Sequence, residues 1–215
     1  MSHERFLADI ASHPSEDAPK LVYADWLEER GDTQADFIRL VVEGVDGRQA
    51  TVEELATTLE MKWSEREREQ SVRDACASMS PRLWPLLAAD FAEKAVCELE
   101  GCCSKTDPAG KAIQAVRDGE SQEVLEAAAA KAMEAAEQAW GGPTPPEDDR
   151  AILGTIGALS GPIAAKAARC KSTIDVADVA AHAAVFSGKD GLRWQLIRLA
   201  EYKLWGKPIG LWSGE

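Results

Sequence analysis

Residues 121–140 read SQEVLEAAAAKAMEAAEQAW, and this stretch decides the fold class. Eight of the thirteen residues from Ala127 to Ala139 are alanine. Alanine has the highest helix propensity because it loses no side-chain entropy, and its small side chain lets neighbouring helix axes approach closely. The segment predicts a long Ala-rich helix from Ser121 to Trp140, cut off by Gly141-Gly142-Pro143.

Working outward, apolar residues keep recurring three and four apart, the spacing of one helix face. Upstream, Leu83, Trp84, Leu86, Leu87, Phe91, Ala95, Val96 and Leu99 form such a face after Pro81, and Ile113 and Val116 mark another helix that stops at Gly119. Downstream, Thr144-Pro145-Pro146-Glu147 opens a segment through Ile152, Ile156, Leu159 and Ile163. Ser172-Thr173-Ile174-Asp175 opens the next, through Val176, Val179, Ala183 and Phe186. The last helix holds Leu192, Trp194, Leu196, Ile197, Leu199, Tyr202 and Leu204 and ends at Gly206-Lys207-Pro208.

The N-terminal third has the same character. Its short faces are Phe6, Leu7 and Ile10, then Leu21, Tyr23, Ala24, Trp26 and Leu27, then Phe37, Ile38, Leu40 and Val41. Gly31-Asp32 ends the second, and Asp32 or Thr33 caps the third. Thr51-x-x-Glu54 is a capping box for a helix through Leu55, Leu59 and Trp63 that runs on into the alternating charges Ser64 to Glu69. No alternating strand stands out. The expected fold is all-α, with a small N-terminal helical module and an Ala-rich multi-helix bundle. Residues 1–45 form the module, 46–80 a charged connecting helix, 81–208 the bundle and 209–215 a tail.

Charge narrows the function. The chain has 24 Lys and Arg against 37 Asp and Glu, a formal net charge of −13. Direct nucleic-acid binding and adhesion to an anionic membrane both need clustered bases and are disfavoured. The N-terminus lacks the apolar run of a secretory signal, and the most apolar stretch, 151–168, is broken by Gly154, Gly157, Gly161, Pro162 and Lys166. A cytoplasmic location is expected.

No reaction chemistry emerges. Cys97-x4-Cys102-Cys103 is half of a zinc site, a redox pair, or small apolar side chains near a helix end, the plainest of the three. His3, His13 and His182 form no metal-binding pair, and the odd count of five cysteines fits a reducing compartment. Gly154-x-x-Gly157-x-x-x-Gly161 lacks the Lys-Ser/Thr of a phosphate loop and reads as close helix packing. His182 follows Asp178 by four residues, as an acid–base pair or as an ordinary surface histidine. The reading is a non-enzyme without cofactor or metal.

Two segments resemble known families. Residues 6 to 43 carry Phe6-Leu7-x-x-Ile10, Pro14-x-x-Asp17-x-Pro19, Leu21-Val22-Tyr23-Ala24-Asp25-Trp26-Leu27-Glu28-Glu29-x-Gly31-Asp32 and Asp36-Phe37-Ile38-Arg39-Leu40. This string resembles the small bacterial repeat-companion domain, often found ahead of leucine-rich repeats. The resemblance implies an accessory module without chemistry of its own. Leu86-Leu87-x-x-Asp90-x-Ala92-Glu93-x-Ala95-Val96, Ala112-Ile113-x-Ala115-Val116-Arg117 and Trp194-Gln195-x-x-Arg198-Leu199 span residues 83 to 206 more loosely. They resemble the Ala-rich helical immunity proteins of bacterial toxin and conflict systems.

The expected function is a non-catalytic acidic binding protein, an immunity or accessory subunit that docks another protein with a basic surface. The partner-binding candidates are Asp25, Trp26, Glu28, Glu29, Asp36, Trp194 and Arg198. Tyr23 and Trp26 share a helical face, as core or as docking surface, and Asp25 is a buried acceptor or an ion-pair partner of Arg39. The alternative is a scaffold subunit that assembles through hydrophobic helical surfaces carrying Trp63, Trp140, Trp205 and Trp212. An enzyme of unknown type would instead show a deep pocket with perturbed carboxylates or His182.

Overall fold

Caps and turn residues set the elements. The computed structural model describes residues 2–64, 67–100, 107–140, 161–186 and 189–212. All of its regular structure is helical, and the described residues contain no strand, only an isolated bridge between Val45 and Arg48. No helix among them is long and apolar enough to cross a membrane. The chain divides into two compact units, Met1–Ser71 with Lys189–Glu215 and Val72–Gly188.

The first unit contains α1 (His3–Ser12), α2 (Ala18–Glu28), α3 (Gln34–Val42), α4 (Val52–Thr58) and the C-terminal α11 (Lys189–Trp205). Pro19 opens α2, and Gly31, at φ 69°, turns the chain out of it. The Asp32 carboxylate accepts from the Gln34 N–H at 3.0 Å, so Asp32 rather than the Thr33 hydroxyl ties down the start of α3. Thr51 and Glu54 close the capping box of α4 reciprocally. Phe6, Leu7, Ile10, Tyr23, Leu27, Phe37, Ile38 and Leu55 form the core together with Leu196 and Leu199 of α11.

Two sequence expectations change here. The helix that starts at Thr51 does not run on to Glu69. α4 ends at Thr58, the Leu59 and Met61 N–H groups fold back onto the Ala56 carbonyl, and Glu60 adopts a left-handed φ of 55°. The next helix among the described residues is α5 (Arg68–Ala77), which carries the boundary between the units. The second change concerns α11, which groups with the N-terminal helices rather than with the Ala-rich segment. It packs on α4, with Leu196 and Leu199 buried in the same unit as Leu55 and Ala56 of α4.

The second unit contains a 3₁₀ turn (Pro81–Leu83), α6 (Trp84–Glu100), α7 (Pro108–Arg117), α8 (Gln122–Trp140), α9 (residues 161–168) and α10 (Thr173–Phe186). α6 packs against both α7 and α10, and α7 packs against α8. Asp107 caps α7 through the Gly110 N–H at 2.6 Å, and Ser172 with Asp175 caps α10. Arg117 closes the α6–α7 pair, donating to Asp90 at 2.8 Å and to Glu93 at 2.8 Å. The small-residue reading holds at Gly161, where a Cβ would stand 2.3 Å from the Ala132 carbonyl oxygen and 2.7 Å from the Ala136 Cβ. Gly154 and Gly157 lie outside the described residues.

Candidate functional site

The candidate site begins with the helical spacing of α2. Val22, Asp25, Trp26 and Glu29 stand at i, i+3, i+4 and i+7, and therefore share one face. Val22 is 53% exposed, and three other large aliphatic residues among those described, Val124, Ile174 and Val185, are exposed to similar or greater degrees. Trp26 is half-buried, with one side on Phe6 at 5.3 Å between ring centroids and the Arg30 guanidinium carbon 3.8 Å from its own ring centroid. Arg39 reaches over from α3 and donates to Asp25 at 2.7 Å and to Glu28 at 2.5 Å, and Glu29 pairs with Arg30 at 3.8 Å. Both acids held by Arg39 remain largely exposed, at 65% and 68%, so their charges stay in contact with solvent. The result is an apolar strip rimmed by three acids and two arginines.

Tyr23 belongs to the core and Trp26 straddles core and surface. The Tyr23 hydroxyl lies 3.0 Å from His3 Nδ1 and accepts from Trp205 Nε1 at 3.1 Å. Burial, joined by the nearby acids Asp32 and Glu4, pushes its phenol up to about 12. Asp25 is an exposed ion-pair partner of Arg39, not a buried acceptor.

The other candidates are placed differently. Asp36 is exposed on α3 and lines a separate cleft of about 580 Å³ with Thr57, Glu60 and Lys203. Trp194 and Arg198 stack on each other, 5.1 Å from guanidinium carbon to ring centroid, and Arg198 pairs with the buried Glu201 at 2.9 Å. Of the scaffold tryptophans, Trp63 is buried, Trp205 is bonded to Tyr23 and Trp212 faces Arg193. The Trp140 side chain lies outside the described residues.

The remaining chemical motifs also find their places. His182 is exposed, and its Nδ1 lies 2.7 Å from the backbone carbonyl of Asp178, while the Asp178 carboxylate pairs with Lys166 at 3.3 Å. No His-carboxylate couple is formed there. Cys102 and Cys103 lie outside the described residues, and no group of three His, Cys, Asp or Glu among those described stands close enough to hold a metal ion.

Sequence reading overlooked Lys20, Arg193 and Glu201. Each is almost fully buried, and a base or acid inside an amphipathic pattern reads as a solvated position. The only sequence signal was weak: Arg193 and Glu201 interrupt the apolar stripe of α11.

Compared as a whole with family models, with curated proteins and with solved structures, the chain matches none.

Proposed function

We propose that the chain is a non-catalytic acidic protein-binding module, an immunity or accessory subunit of a bacterial conflict or defence system, that docks a partner with a basic surface. The observation that carries this reading is the α2 face, where exposed Val22 and half-buried Trp26 are rimmed by Asp25, Glu28 and Glu29. Interfaces combine an aromatic or aliphatic anchor with a polar rim, and charge complementarity steers the encounter. With 20 acids against 13 bases, the first unit carries a net charge of −7 and attracts basic surfaces over a Debye length.

Glu28→Lys/Glu29→Lys and Val22→Asp test the proposal. Partner capture by the parent chain should weaken from low to high salt. It should be lost in both variants, with helical circular dichroism unchanged. A protein captured equally well by the parent and by both variants would remove α2 as the docking face.

A further inference from the structure

The three histidines differ in what Nδ1 meets. His13 and His182 each place Nδ1 against the backbone carbonyl four residues earlier, 3.1 Å from that of Asp9 and 2.7 Å from that of Asp178. A carbonyl only accepts, so Nδ1 is the donor in both, and a proton added at Nε2 leaves both bonds intact. His3, the first residue of α1, meets a hydroxyl instead, that of Tyr23 at 3.0 Å.

That hydroxyl is already engaged on its oxygen. Trp205 Nε1, a donor with no capacity to accept, donates to it at 3.1 Å. Tyr23 is fully buried, and His3 and Trp205 are the partners of its hydroxyl among the described residues. The phenolic proton therefore goes to His3 Nδ1, which must be bare, with the ring proton on Nε2. A proton on Nδ1, in the other neutral tautomer or in the cation, would set two donors against one oxygen and leave the phenolic proton buried without an acceptor. Burial, opposed by the Trp205 bond, holds the Tyr23 phenol up at about 12, so that proton stays in place at neutral and mildly acidic pH.

The surrounding charges are balanced. Glu4 lies on α1 itself, Asp32 follows α2, Arg30 of α2 lies over Trp26 at 3.8 Å, and Lys207 follows α11 and pairs with Glu4 at 3.9 Å. Two acids favour a cation at His3 and two bases oppose it, so the hydrogen bond decides. The His3 ring also packs edge-on to Tyr23 at 5.7 Å and lies 6.3 Å from Trp26 between centroids. Phe6, Leu7 and Ile10, all buried, hold the rest of α1, which confines the loss of this bond to the first turn.

We propose that His3 is a pH-sensitive latch joining α1 to α2 and α11, closed while its ring is neutral and released when the ring is protonated. The neutral ring accepts and the cation does not, so the latch is closed at high pH and opens as pH falls through the range in which histidines change charge. Half-buried His3 is within reach of solvent protons. The latch needs no partner and stands or falls apart from the α2 docking face.

NMR spectra of the full chain between pH 8 and pH 5 test it. At pH 8 the ring nitrogen signals of His3 should show a proton on Nε2 alone. The exchange rate of the Trp205 indole proton, divided by its rate in the urea-unfolded chain at the same pH, should rise about tenfold from pH 7.5 to pH 5.5, the ratio in which an ordinary histidine is deprotonated at those two values. His3→Phe, which keeps a ring against Trp26, should abolish the rise, and so should Tyr23→Phe, which has no phenolic proton to strand. If Tyr23→Phe does not fold, His3→Phe and the parent spectra decide. A proton on His3 Nδ1 at pH 8, an exchange ratio in the parent that does not change with pH, or the same rise in His3→Phe would overturn the proposal.

Discussion

Glu201 supports a quantitative test of how the first unit closes. Its side chain is 2% exposed, and Oε1 accepts from the N–H groups of Ile209 at 3.2 Å and Leu211 at 2.8 Å. The other oxygen pairs with Arg198 at 2.9 Å. The segment after α11 is thereby folded back so that Ile209 and Leu211 are both buried. Glu201→Ala removes the acceptor of two buried backbone donors, at about 1 to 3 kcal/mol each, and also the arginine contact, for a total of about 3–4 kcal/mol when partial hydration is allowed. Glu201→Gln keeps an oxygen for both N–H groups and loses only the ion pair. Arg198 keeps 17% of its side chain exposed and stacks on Trp194, so the loss of its counter-charge should cost this variant about 1–2 kcal/mol, less than a fully buried one-sided loss.

The decisive quantity is the gap of about 2 kcal/mol between Ala and Gln, assigned to the two backbone donors. Urea unfolding measures it globally, and hydrogen exchange at the Ile209 and Leu211 amides measures it locally. Burial raises the Glu201 carboxyl above its ordinary 4.5, against the pull of Arg198 and the backbone N–H groups. A raised folded pKa means that the native state binds the proton more readily than the unfolded state. This contribution is full below pH 4.5 and fades as pH rises through the folded pKa. The stability of the parent relative to Glu201→Gln should therefore grow on acidification through that window. Ala and Gln variants of equal stability would refute the clasp, and a parent that loses ground to Gln on acidification would refute the assignment to burial.

Other outcomes follow from the same geometry. Gly161→Val should cost about 2 kcal/mol or more and displace α8 from α9, because the new Cβ meets the Ala132 carbonyl at 2.3 Å; thermal unfolding of an undestabilised variant would contradict that close approach. Cys76 and Cys170 are buried, with burial as the main cause pushing both thiols up to about 12, so both should resist iodoacetamide at pH 8.5 until urea unfolds the chain, as mass spectrometry would show. Arg117→Met should destabilise the second unit by about 2–4 kcal/mol, since Asp90 and Glu93 stay in place without their guanidinium; equal urea midpoints would remove the α6–α7 staple. Residues 1–71 alone lack α11 and should show weak, non-cooperative helix by circular dichroism, and a cooperative melt would show that α11 is dispensable there.

Local structure was the most legible level. The Thr51–Glu54 and Ser172–Asp175 boxes, the Gly31 stop and the Asp25–Arg39 pair were all readable, because each depends on residues a few positions apart or on an explicit charge match. The break after Thr58 was hidden because Leu55, Leu59 and Trp63 keep helical spacing across it, while the left-handed turn is made by Glu60, a residue without turn preference. The partner of α11 was illegible for a different reason. An apolar stripe specifies that a helix is covered, and several stripes in this chain would have served. The sequence placed α11 with its neighbours in the chain, whereas the pairing depends on contacts across more than 140 residues, such as that of Arg193 with Gln49.

Those distant contacts explain how α11 acquires one register. Leu196, Leu199 and Ala200 offer a smooth surface along which a one-turn slip would lose little apolar area. Polar contacts near its two ends do not tolerate such a slip. Arg193 is bonded to the Val41 carbonyl and Gln49, and Trp205, twelve residues and about 18 Å further along, is bonded to the Tyr23 hydroxyl. A shift of one turn, about 5.4 Å, would break both sets at once and leave a guanidinium buried without acceptors. The same helix alters the electrostatics of the unit. Residues 1–43 carry −6, and Lys189–Glu215 adds five bases against three acids. The two units then carry −7 and −6, so the acidity is shared rather than concentrated in an N-terminal appendage. What distinguishes the first unit is the arrangement of its charge. Acids line the exposed face of α2, while the cations Lys20 and Arg193 are almost fully buried.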